Sequence, residues 1–396
     1  MAFQLARRVQ RIAPSPTMAV SARAAEMRAA GRDVISLSAG EPDFDTPEHI
    51  SAAAVEAIRR GETRYTPPNG NVALREAVRR KLERENGLEY AADEVIVSSG
   101  AKQCLYNLMA ALLDEGDEAV VQAPYWVSYP DMVRLADGVP EIVDTDEDNG
   151  FRLTAEALDA AITDRTRLVI LNSPANPTGI AYSRDELAAL GEVLDRYPDV
   201  LIASDDIYEH ILWQGSFHNI VTACPRLRDR TIVVNGVSKA YAMTGWRIGY
   251  AAGPRTIIEA MTKIQSQSTS GPNSIAQAAA IAALDGGLAC VEPMRAAFRE
   301  RHDYLVQQLN TLPGIACRAG DGTFYCFADV RRAMRTAGTR DDVAFAEWLL
   351  EKAEVAMVPG SAFGLPGRLR LSFATDMKTL ERATDRLRSV LASTRG

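Results

Sequence analysis

The chain has 396 residues, 47% hydrophobic and 24% charged, a balance typical of folded globular proteins and a length too great for one ordinary core. Its formal net charge of −8, with acids and bases interspersed, argues against nucleic acid or an anionic membrane as the main partner. There is no apolar run of membrane-spanning length, no CxxC pair among the five cysteines and no metal-ligand spacing among the four histidines. The expectation is a reduced, cytoplasmic protein without a metal centre.

The first 25 residues carry Arg7, Arg8, Arg11 and Arg23 and no acid, a pattern shared with organelle transit peptides. The same stretch contains Ser15-Pro16-Thr17 and runs without a break into the rest of the chain, so it reads as an arm of the folded protein. Short apolar strands then alternate with amphipathic helices. Strand-like runs lie at 94–98, 118–122, 167–172, 200–204, 231–235 and 248–252, several of them almost continuously apolar, as in strands buried on both faces of a mostly parallel sheet. Between the first two, Leu105, Leu108, Met109 and Leu112 recur at helical spacing. This order predicts an α/β domain over 50–287 with helices on both faces of the sheet. After residue 287 the pattern changes to a polar-rich helix (290–312), a Gly-rich turn, a short strand at 323–327 and a final helix. Residues 1–49 and 288–396 are therefore expected to form an N-terminal arm plus a smaller α+β domain.

Ligands of open α/β sheets bind beyond the carboxyl ends of the strands, and the chemically distinctive residues cluster there. The first strand runs into Ser98-Ser99-Gly100-Ala101-Lys102-Gln103, whose small residues suit an anion at a helix N-terminus and would equally suit a serine-capped turn. The second leads to Ala123-Pro124-Tyr125-Trp126-Val127-Ser128-Tyr129-Pro130. The third leads to Ser173-Pro174-Ala175-Asn176-Pro177-Thr178-Gly179, where Asn176-Pro177 invites a cis bond. The fourth leads to Asp205-Asp206-Ile207-Tyr208-Glu209-His210. The fifth ends just before Ser238-Lys239, with Arg247 eight residues beyond the lysine. This pairing offers an amine that condenses with an aldehyde and a guanidinium that grips a phosphate. Near the C-terminus, Arg368-Leu369-Arg370-Leu371-Ser372-Phe373 alternates like a strand.

In this order the motifs resemble those of the class I (fold-type I) aminotransferases that use pyridoxal 5′-phosphate, and the bacterial aspartate aminotransferase branch in particular. The resemblance covers essentially the whole chain. It implies that Lys239 bonds to the cofactor aldehyde and that Asp205 keeps the pyridine nitrogen protonated, since an opposing charge favours the charged form. Tyr208 and Asn176 would bond the phenolic oxygen, and Trp126 would stack on the ring. Gly100, Ala101 and Lys102 lie in the loop that would cup the phosphate, Arg247 would clamp it, and Ser238 would contact the cofactor. Tyr65, in Arg64-Tyr65-Thr66-Pro67-Pro68-Asn69-Gly70, matches a tyrosine that reaches a phosphate in the neighbouring subunit, which implies a homodimer with shared active sites. Arg370 would grip the substrate α-carboxylate through two parallel hydrogen bonds, with Arg368 as its competitor on the same strand face. Gly40, in Ser38-Ala39-Gly40-Glu41-Pro42-Asp43-Phe44, would contact that carboxylate through its backbone. Asp206 stands where many relatives have Glu and is expected to serve only solvation or structure. The Thr323 before Phe324 departs mildly from a usual Ala.

The implied activity is transfer of an amino group from an L-amino acid, L-aspartate first, to a 2-oxo acid, 2-oxoglutarate first, with ping-pong kinetics. A second substrate carboxylate needs a cation. Lys102 stands at the position the aspartate-active branch uses, with Ser15 and Thr17 as supporting hydroxyls and the Gln267-Ser268-Thr269-Ser270 loop contributing across the dimer. Relatives that accept prephenate or aromatic amino acids, and β-lyases on the same fold, are alternatives. A regulator with an aminotransferase-like domain would need an added basic DNA-binding module, which this chain has no spare length to hold.

Overall fold

The structure, a computed structural model, describes residues 3–393. A two-residue strand β1 (Ile35–Ser36) precedes β2 (Val95–Ser98), β3 (Glu118–Ala123), β4 (Val139–Asp144), β5 (Thr166–Asn172), β6 (Leu201–Asp205), β7 (Thr231–Gly236) and β8 (Gly249–Ala252). The C-terminal part adds β9 (Ala316–Cys317), β10 (Tyr325–Asp329), β11 (Val355–Ala356), β12 (Val358–Pro359) and β13 (Arg368–Ser372).

Seven strands form one sheet in the order β2-β8-β7-β6-β5-β3-β4. The run from β4 to β7 is parallel, and β8 lies antiparallel between β7 and β2. Its strands send alternate side chains into two separate apolar cores. Val95, Val97, Val169, Leu171, Ile202 and Val233 enter one, while Ile96, Leu168, Ile170, Ala203, Ile232 and Val234 enter the other. This two-sided burial is the physical reason these runs are nearly all apolar. The expected strands are found with boundaries shifted by a residue or two; the first starts at Val95 because Ala92–Glu94 form a 3₁₀ turn. β4 was not foreseen. It lies at the sheet edge, half-exposed along its length, and an edge tolerates its Pro140.

The second sheet, β12-β13-β10-β9, is antiparallel. Its central strand begins at Tyr325 rather than at 323, because Thr323 takes a left-handed φ of 69° and turns the backbone first. The helix Glu292–Leu309 leads into it, and two unforeseen helices, Arg331–Ala337 and Asp342–Ala353, follow it. β1 pairs in parallel with β11, so the N-terminal segment joins the C-terminal part. Among the described residues no helix is long and apolar enough to cross a membrane.

Register sets the site. Asn172 at the end of β5 pairs with Asp205 at the end of β6, and Asp205 pairs with Val234 of β7. Gly249 of β8 lies against the start of the helix Ala101–Leu112, where a Cβ on it would fall 2.1 Å from Ala101 N. The carboxyl ends of the central strands and one helix N-terminus thus meet at one place.

Candidate active site

A cavity of about 580 Å³ opens there. Lys239, Asp205, Tyr208, Trp126, Asn176 and Arg370 all line it, as do Gly40, Ala101, Lys102, Ser238 and Arg247. Ser15 and Thr17 reach it from the arm. Gly100 lies one layer behind, with φ 95°; a Cβ there would sit 2.3 Å from Arg247 Nη2, so the close approach of loop and guanidinium requires glycine. The Gln267–Ser270 loop stays outside. Its Thr269 borders an adjoining recess and accepts a hydrogen bond from Gln103 Nε2 at 2.6 Å. Tyr65 is not brought to the cavity at all and is fully exposed.

Asp205 is buried at the end of β6, and burial pushes its carboxyl up to about 6. The opposing influence is Tyr129, whose hydroxyl donates to Asp205 Oδ2 at 2.6 Å. Tyr129 also sets its ring edge-on to Trp126, with centroids 5.3 Å apart at 85°. The aromatic wall and the buried carboxylate are therefore braced by one side chain, to which sequence reasoning gave no role. The turns after β5 and β6 are also joined: Asn172 Nδ2 donates to Asp205 O (2.8 Å), and Asn172 Oδ1 accepts from Asn176 N (3.0 Å). Asn176-Pro177 is cis, as its sequence invited. The hydroxyls of Tyr208 and Tyr325 lie 3.1 Å apart. Asp206 turns away from the cavity and accepts from Ser204 Oγ (2.7 Å) and Asn219 Nδ2. It is buried and structural, so the solvation half of its expected role does not hold.

Lys239 Nζ donates to Gly40 O at 2.6 Å. Desolvation pulls its amine down to about 8, with Arg247 and Arg370 acting the same way and Glu41 opposing them. Glu41 is a second residue that sequence reasoning passed over. It lines the cavity and accepts a hydrogen bond from Thr244 Oγ1 at 2.8 Å. Arg247 has a left-handed φ of 57° and links two loops, donating to Thr244 O (2.9 Å) and Ser99 O (3.2 Å).

Arg370 is buried, and its Nη groups donate to Asn176 Oδ1 (3.1 Å) and Ser38 O (2.8 Å). Its Nε is buried without a partner, and no salt bridge reaches it among the described residues. Arg368, its competitor, instead pairs with Glu147 at 2.9 Å and lies over Phe151, away from the cavity. Lys102 Nζ sits 4.9 Å from the centre of the Trp126 ring, its pKa lowered by desolvation and by Arg247. Four cations (Lys102, Lys239, Arg247, Arg370) thus face two carboxylates (Glu41, Asp205) across this cavity. A chain of net charge −8 concentrates positive charge at one point, an arrangement suited to an anionic ligand.

The histidines follow a different pattern. His210 Nε2 lies 2.9 Å from Glu85 Oε2, beside Glu209, while His218 is not part of that cluster. The cationic position among these acids is filled by Lys81, whose ammonium bonds Glu209 and Asn86.

The aminotransferase class I and II family profile matches residues 32–387. An aspartate/prephenate aminotransferase of Nitrosomonas europaea is 55% identical over 397 aligned residues, covering 98% of this chain and 100% of that protein. The crystal structure of the aspartate aminotransferase from Rhizobium meliloti superposes with a TM-score of 0.95 at 49% identity, over 99% of both chains. The aspartate aminotransferase from Thermus thermophilus with maleate gives a TM-score of 0.93 at 45% identity, over 98% of this chain and all of that one.

Proposed function

The chain belongs to the class I and II aminotransferase family, and on that premise we propose that it binds pyridoxal 5′-phosphate and moves an amino group from L-aspartate to 2-oxoglutarate. The residues present fit this cofactor. Gly100 leaves a cradle beside Arg247 that a Cβ would fill, Asp205 is a buried carboxylate at the cavity floor, and Trp126 offers an aromatic face. Arg247, Ser238 and the start of the helix Ala101–Leu112 would hold the phosphate. Asp205 would hold the ring nitrogen in its protonated form, and Tyr208 and Asn176 would bond the phenolic oxygen.

When bound, pyridoxal phosphate supplies the aldehyde that takes up the amino group and the ring that draws electrons from the carbon being deprotonated. The chain supplies the rest. Lys239 Nζ is both the anchor and the proton carrier; with its pKa near 8, an appreciable fraction is free amine near neutral pH. Arg370 orients the substrate through its α-carboxylate, and Lys102, with Ser15 and Thr17 nearby, meets the distal carboxylate of an acidic substrate. A second copy would contribute Tyr65 to the phosphate, making the enzyme a homodimer with shared sites. The seven-stranded region would be a cofactor domain (50–287), and residues 1–49 and 288–396 the arm and smaller domain. The setting we propose is the cytoplasm.

The observation that carries this reading is Arg370, a buried guanidinium with an orphaned Nε and, among the described residues, no carboxylate of its own. Maleate in the Thermus relative is a four-carbon dicarboxylate, which favours aspartate over a monocarboxylic donor. A second reading, prephenate acceptance beside aspartate, is favoured by the double name of the Nitrosomonas relative. The test is steady-state transamination of L-aspartate with 2-oxoglutarate and with prephenate, alongside cystathionine cleavage. Oxaloacetate formation supports the proposal; pyruvate release from cystathionine without transamination would refute it in favour of a β-lyase.

A further inference from the structure

The loop that presents Tyr65 is unlike an ordinary surface turn. Tyr65 itself is fully exposed, and among the described residues none makes a hydrogen bond or ring contact with it. Directly after it, residues 66–70 are held from behind by two glutamines that have no solvent exposure. Gln277 Nε2, on the helix Ser274–Asp285, donates to Thr66 Oγ1 (2.9 Å) and Pro272 O (2.8 Å), and its Oε1 accepts from Asn71 N (2.8 Å). Gln265 Nε2, on the helix Arg255–Ser266, donates to Pro68 O and to Val97 O (2.8 Å), and its Oε1 accepts from Asn107 Nδ2 (2.8 Å). The backbone closes the clamp, with Val97 N bonded to Asn69 O at 3.1 Å and Gly70 N to Pro67 O at 2.9 Å. Packing leaves no slack. A Cβ on Gly271 would fall 2.5 Å from Thr66 Oγ1, and one on Gly70, whose φ is 89°, would fall 2.8 Å from Val97 Cβ.

A buried amide is costly unless its donors and acceptor are met. Here two fully buried amides each bond the same short loop, Gln277 at Thr66 and Gln265 at Pro68, and the large side chain that loop displays faces solvent. Holding an exposed aromatic at a fixed point helps only if something outside the chain meets it there. We propose that Gln277 and Gln265 are positioning residues that act in trans, fixing Tyr65 where a second copy of this chain presents its cofactor phosphate. The proposal rests on the shared-site reading above.

The test is the dissociation constant of pyridoxal phosphate, read from the visible absorbance of purified dimers. Tyr65→Phe and Gln277→Leu are each expected to weaken binding about ten-fold, the scale of one charge-assisted hydrogen bond. Their combination should be no weaker than Tyr65→Phe alone, since both remove the same contact. Thr66→Val, which removes only the hydroxyl that Gln277 holds, should weaken binding about three-fold. It decides the matter if Gln277→Leu does not fold. Hybrid dimers locate the effect. When Gln277→Leu sits on the chain that also carries Lys239→Ala, the competent site of its wild-type partner should bind weakly. When it sits on the chain that keeps Lys239, binding should be normal. Weak binding that follows the chain keeping Lys239 would overturn the proposal, as would a normal Gln277→Leu (or Thr66→Val in its place) beside a weakened Tyr65→Phe. If Tyr65→Phe itself binds normally, the shared-site reading fails and takes this proposal with it.

Discussion

Lys81 and Arg370 are both buried cations, and both stand beside the segment that follows β6. Tyr208 lines the cavity with Arg370, while its neighbour Glu209 turns away to Lys81. Lys81 is answered by Glu209 and Asn86, with Glu85 nearby, and Asn235 and Asn86 complete the Glu209 carboxylate. Burial would push Glu209 up, but Lys81 and His210 hold it at about 2. Among the described residues, Arg370 has only neutral acceptors and keeps one donor unmet. A buried charge that is answered within the chain is structural, and one left unanswered marks where a ligand's charge belongs.

This contrast can be broken from either side. The largest effect is expected for Lys239→Ala, which should cost on the order of 10⁴-fold in transamination and abolish the visible band of covalently bound cofactor. Its unfolding midpoint should stay close to wild type, because the amine it removes is held by one backbone carbonyl. Lys81→Met should show the reverse. Breaking the buried pair strands Glu209 and should lower stability by about 3–5 kcal/mol in denaturant unfolding, while KM for aspartate in the folded fraction stays near wild type. A large KM change with intact stability would contradict the assignment of that cluster to structure.

Arg370→Lys keeps the charge and loses the planar fork, so kcat/KM for every amino donor should fall about 100-fold, with stability changed by less than about 1 kcal/mol. Lys102→Ala should lower kcat/KM for aspartate about ten-fold more than for phenylalanine, as steady-state assays of both donors will show; equal losses would remove it from distal-carboxylate binding. The smallest effect is one of pH. Desolvation lowers Lys239 from its ordinary 10.5 to about 8, so the reactive free amine gains population as pH rises through 8. The rate of cofactor capture by the apoprotein should rise with pH and level off just above that value; a rise continuing to 10.5 would contradict it.

Much of this was legible in the sequence, for identifiable reasons. Strands buried on both faces must be apolar throughout, so β3, β5, β6 and β7 announce themselves, and their carboxyl ends point to Trp126, Asn176, Asp205 and Lys239. β4 was not legible because an edge strand needs no continuous apolar run. Arg368 and Arg370 share a strand face, so alternation alone does not separate them; the motif resemblance favoured Arg370, and the structure sets Glu147 beside one and Asn176 beside the other. Tyr129 and Glu41 were missed because their importance lies in contacts far along the chain: Tyr129 meets Asp205 76 residues later, and Glu41 meets Thr244 203 residues later. Local pattern carries no trace of either.

The unanswered cations of the cavity suit an acidic amino acid. The most direct measurement is the absorbance of pyridoxal phosphate-loaded protein mixed, with no acceptor present, with L-aspartate and separately with L-phenylalanine. The cofactor band should be lost faster with aspartate, with oxaloacetate released. Faster loss with phenylalanine, or no loss with either, would contradict it.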